Sequence, residues 1–170
     1  MTTTQDSVRS PHGRFSRCSW LAWQMILLFW LIPLALILLA TSPFLHVHNY
    51  QNWMLWIAYP FIAIYLAVLF YFSVVFTIRR LHDLNHSGWL SVMMVIPGLN
   101  LLFFFYLVIA KGSTSKNRYG LPRTVQTWEK PLAILYLLLS LYLLSTFAMA
   151  LYSNYQVKLT AQAQSAVNLQ

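Results

Sequence analysis

The stretch from Arg79 to Trp89, RRLHDLNHSGW, gathers two arginines, two histidines and one aspartate between long runs that hold no charge. Side chains of these types could do three kinds of chemistry. His82 and His86 are four residues apart. They would share a face if the helix ran on, a spacing used by zinc pairs. Zinc needs about three or four ligands. Asp83, His46 and His48 are the available additions, and the two other histidines belong to the loop at the far end of the preceding apolar run. The ligand set falls short, so no metal or other cofactor is expected. Acid–base catalysis wants two tuned groups in one pocket. Asp83 is the only carboxylate between residues 7 and 128, and His82 beside it would point away from it on a helix. KGSTSK, residues 111–116, lacks the Gly-x-x-x-x-Gly-Lys spacing of a phosphate loop. These patterns do not read as an enzyme.

The third kind of chemistry is charge recognition at a membrane edge. An arginine at the bilayer centre costs about 2.5–3.5 kcal/mol on insertion scales, so a helix ending in Arg79 and Arg80 leaves the membrane at Ile78. The helix C-terminus then favours both cations. One more turn would bring Asp83 within pairing reach of Arg79 or Arg80. Gly88 is expected to break the helix and Ser87 to cap the next one.

The elements that must position this cluster are apolar and long. The chain of 170 residues is 59% hydrophobic and 8% charged, whereas a soluble domain carries about 25% charged residues. Segments 20–41, 53–78, 89–110 and 132–152 contain no Lys, Arg, Asp or Glu, and each is long enough to cross about 30 Å of hydrocarbon as a helix. The expected fold is an all-α integral membrane protein of four hydrophobic helical segments, with polar tails at 1–19 and 153–170. Pro11 and Gly13 would break the first tail, and the second could form a short interfacial helix. The first apolar run, Trp20–Ala40, has 21 residues. A signal-peptide core has about 7–15, so the run reads as an uncleaved helix. Cys18 is the only cysteine and precedes that run, which excludes an internal disulfide and argues against lipid attachment there. Trp20, Trp23, Trp53, Trp56, Trp89 and Trp128 lie near segment starts, where indoles favour the interface. Pro33 and Pro60 read as kinks inside spans.

Orientation turns on the third segment. Eleven Lys and Arg against three acids give a net charge of +8. In a soluble protein that would suggest nucleic acid; here the cations flank apolar runs, so membrane headgroups explain them first. If all four segments cross, the cations divide almost evenly between the two sides. If the third folds back at Pro97-Gly98, a good turn dipeptide, ten lie on one side and only Lys158 on the other, in keeping with the positive-inside rule. Against the hairpin, 22 helical residues span about 33 Å, and a turn at membrane depth needs cover from protein. The third segment is therefore either a kinked span or a re-entrant hairpin. In both cases the N-terminus and the Arg79 loop are cytoplasmic.

The motifs resemble those of the bacterial inner-membrane family known as domain of unknown function 805. The resemblance rests on Arg79, Arg80, Leu81, His82 and Asp83; on Ser87, Gly88 and Trp89; on Pro97 and Gly112; and on Asn117, Arg118, Tyr119 and Gly120, with an upstream set of Gly13, Arg14, Arg17 and Trp20. It covers roughly residues 13–122. The chain departs from it where LPR, residues 121–123, replaces Pro-Asp-Pro, at His86, and in the apolar segment that follows. The resemblance implies a small multi-pass protein and names no reaction.

The expected function is a non-catalytic membrane module. Its cationic rim, with Arg14, Arg17, Arg79 and Arg80, would hold anionic headgroups, a membrane-protein partner or a second copy of the chain; in the hairpin topology Asn117, Lys116 and Arg118 would join, Asp83 would pair an arginine and Tyr119 would cap the pocket. Each cation near an anionic surface is worth about 1 kcal/mol. The alternative is a subunit of a small-solute transporter or channel. The spans offer only Gln24, Ser73, Asn100, Ser140, Ser145 and tyrosines as polar groups, and these more often bond across helices than line a pathway.

Overall fold

In a computed structural model, the structure describes residues 11–45 and 53–167; His46, His48 and Arg9 lie outside them. Four α-helices appear in order: α1 (Arg17–Leu45), α2 (Trp53–Asp83), α3 (Leu99–Ile109) and α4 (Glu129–Val167), with a 3₁₀ helix at Gly88–Met94. Three helices are long and apolar enough to cross a membrane: α1, α2 and α4. The all-α membrane class is therefore as expected, with three helices of spanning length and a shorter broken segment.

α1 and α2 pair antiparallel, and their few polar side chains set the register. The Trp20 indole N–H donates to Thr77 Oγ1 at 3.2 Å, and Ser73 Oγ donates to Gln24 Oε1 at 3.2 Å. Each step of four residues up α1 is matched by four down α2, one turn of each helix. A cross-helix bond satisfies a side chain that hydrocarbon would leave unpaired. Ser140 and Ser145 behave differently, donating to Leu137 O and Tyr142 O within α4. Both long helices run through their prolines, Pro33 and Pro60.

Near its polar end the pair carries an aromatic core. Phe15, Trp20, Leu21, Val75 and Phe76 are buried, and the Trp23 ring lies 5.5 Å from Phe76 and edge-on to Trp128 at 5.7 Å. Trp20 is thus a packed core residue and not an interface anchor, because Thr77 gives its N–H a partner inside the protein. Trp89, by contrast, is 84% exposed.

The third apolar segment does not cross. Gly88, at its start, faces Ile78 and His82, and the carbonyls of Leu107 and Ala110, at its end, accept hydrogen bonds from Arg80. Both ends therefore meet the same end of α2. The kinked full span is overturned, and the physical cause is local. The chain coils as a 3₁₀ helix to Met94, Pro97 has no N–H to continue a helix, and Gly98 turns at φ +80°, a conformation costly for other residues. Seven 3₁₀ residues rise about 14 Å and eleven α residues about 16 Å. The hairpin thus reaches about half the depth of a 30 Å hydrocarbon layer.

The polar end of α2 is closed by a Schellman motif. Asn85 N donates to His82 O at 3.1 Å, His86 N donates to Leu81 O at 2.9 Å, and Asn85 takes φ +60°. The helix therefore stops two residues before Asn85, not at Gly88. Ser87 occupies the N-cap position of the 3₁₀ helix without a side-chain cap bond.

The N-terminal segment also differs from a free tail. Phe15 N donates to Arg79 O at 2.9 Å, and Arg14, Phe15 and Ser19 are buried. The structure forms two compact units, Met1–Ile134 and Leu135–Gln170. The second is the body of α4, which stays helical through the expected C-terminal tail to Val167; side chains along it are largely exposed, as a lipid-facing helix requires.

Candidate functional site

Asp83 is the centre of the site. Its Oδ1 accepts from Arg14 Nε at 3.1 Å and Arg14 Nη2 at 2.9 Å, and its Oδ2 accepts from Arg80 Nη1 at 2.7 Å. Both guanidinium side chains are fully buried. The Arg80 partner lies three residues before Asp83 on α2, as helix geometry allows. Arg14 comes from a segment 69 residues away. Arg79, also buried, turns to the other side, where its guanidinium lies 4.1 Å from the Phe15 ring centroid, a cation–π contact.

Each guanidinium also gathers backbone carbonyls. Arg14 Nη1 donates to Ser115 O at 2.8 Å and Gly120 O at 3.1 Å, and Arg14 Nη2 to Ser113 O and Ser113 Oγ. Arg80 takes Leu107 O and Ala110 O, orphan carbonyls at the end of α3. Arg17 Nη1 reaches Ile109 O at 3.4 Å, so two cations stand at the negative end of that helix dipole. The network ties together the N-terminal segment, the end of α2, the end of the hairpin and the loop that follows.

Gly112 explains how the loop comes so close. A Cβ there would fall 1.8 Å from Asp83 Oδ2, so any side chain would displace the carboxylate. Beyond it, Ser113 N and Oγ both donate to Asp83 O at 3.0 Å. Asn117 Nδ2 donates to His82 O at 2.8 Å, and Asn117 Oδ1 accepts from Tyr119 N at 2.9 Å, which folds the Asn117–Gly120 turn. The Tyr119 ring then stacks on His82 at 3.8 Å, and Arg118 spans from Tyr119 to Asn85 O at 2.9 Å. The two halves of the motif, separated by the apolar hairpin in sequence, are one contact surface.

The histidines do not pair. The Schellman turn reverses the chain between them, His82 stacks on Tyr119, and the His86 ring shares a hydrogen bond with Tyr106 Oη at 2.8 Å. Among the described residues no three His, Cys, Asp or Glu side chains come together as metal ligands.

Glu129 is a residue that spacing did not single out. It is fully buried, accepts from Ser19 Oγ at 2.8 Å and Arg123 Nη1 at 2.7 Å, and takes the backbone N–H of Gln126 at 3.0 Å. The last contact satisfies a backbone N–H in the turn that leads into α4. Its signal was present as a lone acid three residues after Gln126, ahead of an apolar run.

With Arg14, Arg79 and Arg80 turned inward, the exposed cations among the described residues of the first unit are Arg17, Lys111, Lys116, Arg118 and Lys130. An open pocket of about 350 Å³ lies against the network, lined by Ser16, Arg17, Arg80, Asp83, Lys111 and Ser113, among others. Asp83 is paired with two arginines there, while Arg17 and Lys111 make no ion pair among the described residues. The arrangement can attract an anion, and among the described residues its carboxylate, Asp83, is paired.

The family model described as "Protein of unknown function (DUF805)" matches residues 8–121. The chain belongs to the DUF805 family. The match contains Arg14, Arg80, Asp83, Gly112 and the Asn117–Gly120 turn, so the whole buried network is family territory; Arg123, Glu129 and α4 lie beyond it. No curated protein and no solved structure matches the chain.

Proposed function

We propose that this DUF805 protein is a non-catalytic module of the bacterial inner membrane that holds anionic headgroups at a cytoplasmic basic rim. One observation carries the reading. Of the cations expected at the rim, Arg14 and Arg80 are buried around Asp83 and Arg79 against Phe15, while Arg17, Lys116 and Arg118 stay exposed together with Lys111 and Lys130. Each is worth about 1 kcal/mol at an anionic surface. The hairpin topology supports the cytoplasmic assignment. It leaves the N-terminal segment, the 79–88 turn and the 111–131 loop on one side, with ten of the eleven Lys and Arg.

Lipid co-purified from the native membrane and identified by mass spectrometry tests this. Enrichment of anionic over zwitterionic lipid, relative to bulk, is the expected result. Bulk composition around the parent protein and around a variant lacking the five rim cations would overturn it.

A transporter or channel subunit is the second reading. α3 begins at Leu99, just past the Gly98 turn at about mid-depth of the layer, with Asn100 in its first turn. Broken helices that end mid-membrane line substrate sites in transporters. Solute flux through vesicles holding the purified protein would favour it; the module reading expects none.

A further inference from the structure

A second pocket, of about 200 Å³, is lined by Trp20, Met94, Asn100, Phe103, Phe104 and Leu107. It adjoins the basic pocket along two elements. On α1, Arg17 lines the basic pocket and Trp20 the apolar one, three residues on and so on the same face. At the end of α3, Leu107 lines the apolar pocket while its carbonyl accepts from Arg80, which lines the basic one. The basic pocket sits where the apolar sequence of α2 stops, and the apolar pocket lies about one helical turn, roughly 5 Å, deeper.

We propose that the two pockets form one site for an anionic phospholipid, with the phosphate in the basic pocket and an acyl chain in the apolar one. The proposal rests on the rim reading and gives it a defined ligand class. Two features select the occupant. Arg17 and Lys111 supply positive charge that no carboxylate among the described residues cancels, and Ser16, Ser113 and Thr114 add hydroxyls to the same wall. A free anion would use that wall alone. Only an amphiphile would fill the slot between Trp20 and the hairpin as well, where Phe103 and Leu107 present buried hydrocarbon. Arg80 and Asp83 shape the floor and are already bonded to each other, so Arg17 and Lys111 discriminate between headgroups while Met94 and Asn100 border the chain.

The full-length protein in detergent, titrated with phosphatidylglycerol and phosphatidylcholine and read by native mass spectrometry, provides the test. Phosphatidylglycerol should bind roughly tenfold more tightly than phosphatidylcholine, and R17Q/K111Q should remove that preference. M94W and N100F, which fill the slot from two sides, should each weaken phosphatidylglycerol by roughly tenfold and keep the preference. Glycerophosphoglycerol, the headgroup without chains, should fail to displace the lipid at equal concentration. Unchanged lipid affinity in both slot variants, or displacement by the chainless headgroup, overturns the two-pocket site and leaves the rim reading standing. Equal binding of the two lipids by the parent protein overturns both. The headgroup competition uses the parent chain alone, so a slot variant that fails to fold does not remove the test.

Discussion

Asp83 is the carboxylate that two buried arginines, Arg14 and Arg80, share. Removing one partner of a buried ion pair leaves uncompensated charge and costs about 3–5 kcal/mol. Asp83→Ala would leave both Arg14 and Arg80 buried without their carboxylate, and a marginally stable fold does not absorb that. We expect a loss of that size in detergent unfolding assays, or failure to accumulate in the membrane. Gly112→Ala should produce the same phenotype by the opposite route, since its Cβ would occupy the space of Asp83 Oδ2. Lys116→Ala, an exposed change beside the network, should stay within about 0.5 kcal/mol of the parent. Equal stability of the Gly112 variant and the parent would show that the loop does not sit on the carboxylate. The Asp83–Arg80 pair could be read from a spacing of three along a helix. Arg14 could not, because the chain between the partners contains two whole spans and hydrogen-bond reach over such a distance is decided by folding.

At the scale of elements, the two devices that matter are the Schellman turn and the hairpin. Asn85 sits at φ +60°, where a glycine rests without strain and a β-branched residue does not. Asn85→Gly should be neutral or stabilising, and Asn85→Val should lose about 1–2 kcal/mol, both measured by thermal unfolding. The hairpin makes a sharper prediction about sidedness. In a Cys18→Ser background, Ser87→Cys and Lys116→Cys flank the third segment, and both should react with a membrane-impermeant maleimide from the same side. Reaction from opposite sides would restore a full crossing. The choice was open in the sequence because length and charge pointed apart. Twenty-two apolar residues are enough to cross, while the cation count favoured a return. Pro97 and Gly98 marked where a turn was sterically cheap. What made it stable is that Arg80 receives the carbonyls at the end of α3, a contact with no linear signature.

At the scale of the whole molecule, the composition already excluded a water-soluble fold. α4 is long and apolar enough to cross, and a single crossing by it predicts Lys116 and Lys158 on opposite faces. Cysteines placed at Lys116 and at Lys158 should then label from opposite sides of sealed vesicles, and labelling of both from one side would break this topology. The expected headgroup contacts changed in part with the fold. Arg14, Arg79 and Arg80 carry motif charge, yet all three are buried: Arg14 and Arg80 share a carboxylate and nearby carbonyls, which satisfies a desolvated guanidinium, and Arg79 lies over the Phe15 ring. Of the outward cations, Arg17, Lys116 and Arg118 are ones the sequence placed at the rim, and Lys111 and Lys130 are exposed with them.

By itself, the sequence determined the solvent of this protein, the positions of its apolar runs and its membership of a family with paired polar motifs. Those properties follow from local quantities: hydropathy summed over a helix length, and the identity of residues at short spacing. Only the tertiary structure decided that the third run turns back, that Arg14 and Arg80 share Asp83, and that Glu129 closes on Ser19 and Arg123. The physical reason is that a buried charge is satisfied by whatever donors and carbonyls the packed helices bring within about 3 Å, and that set is fixed by how distant segments meet.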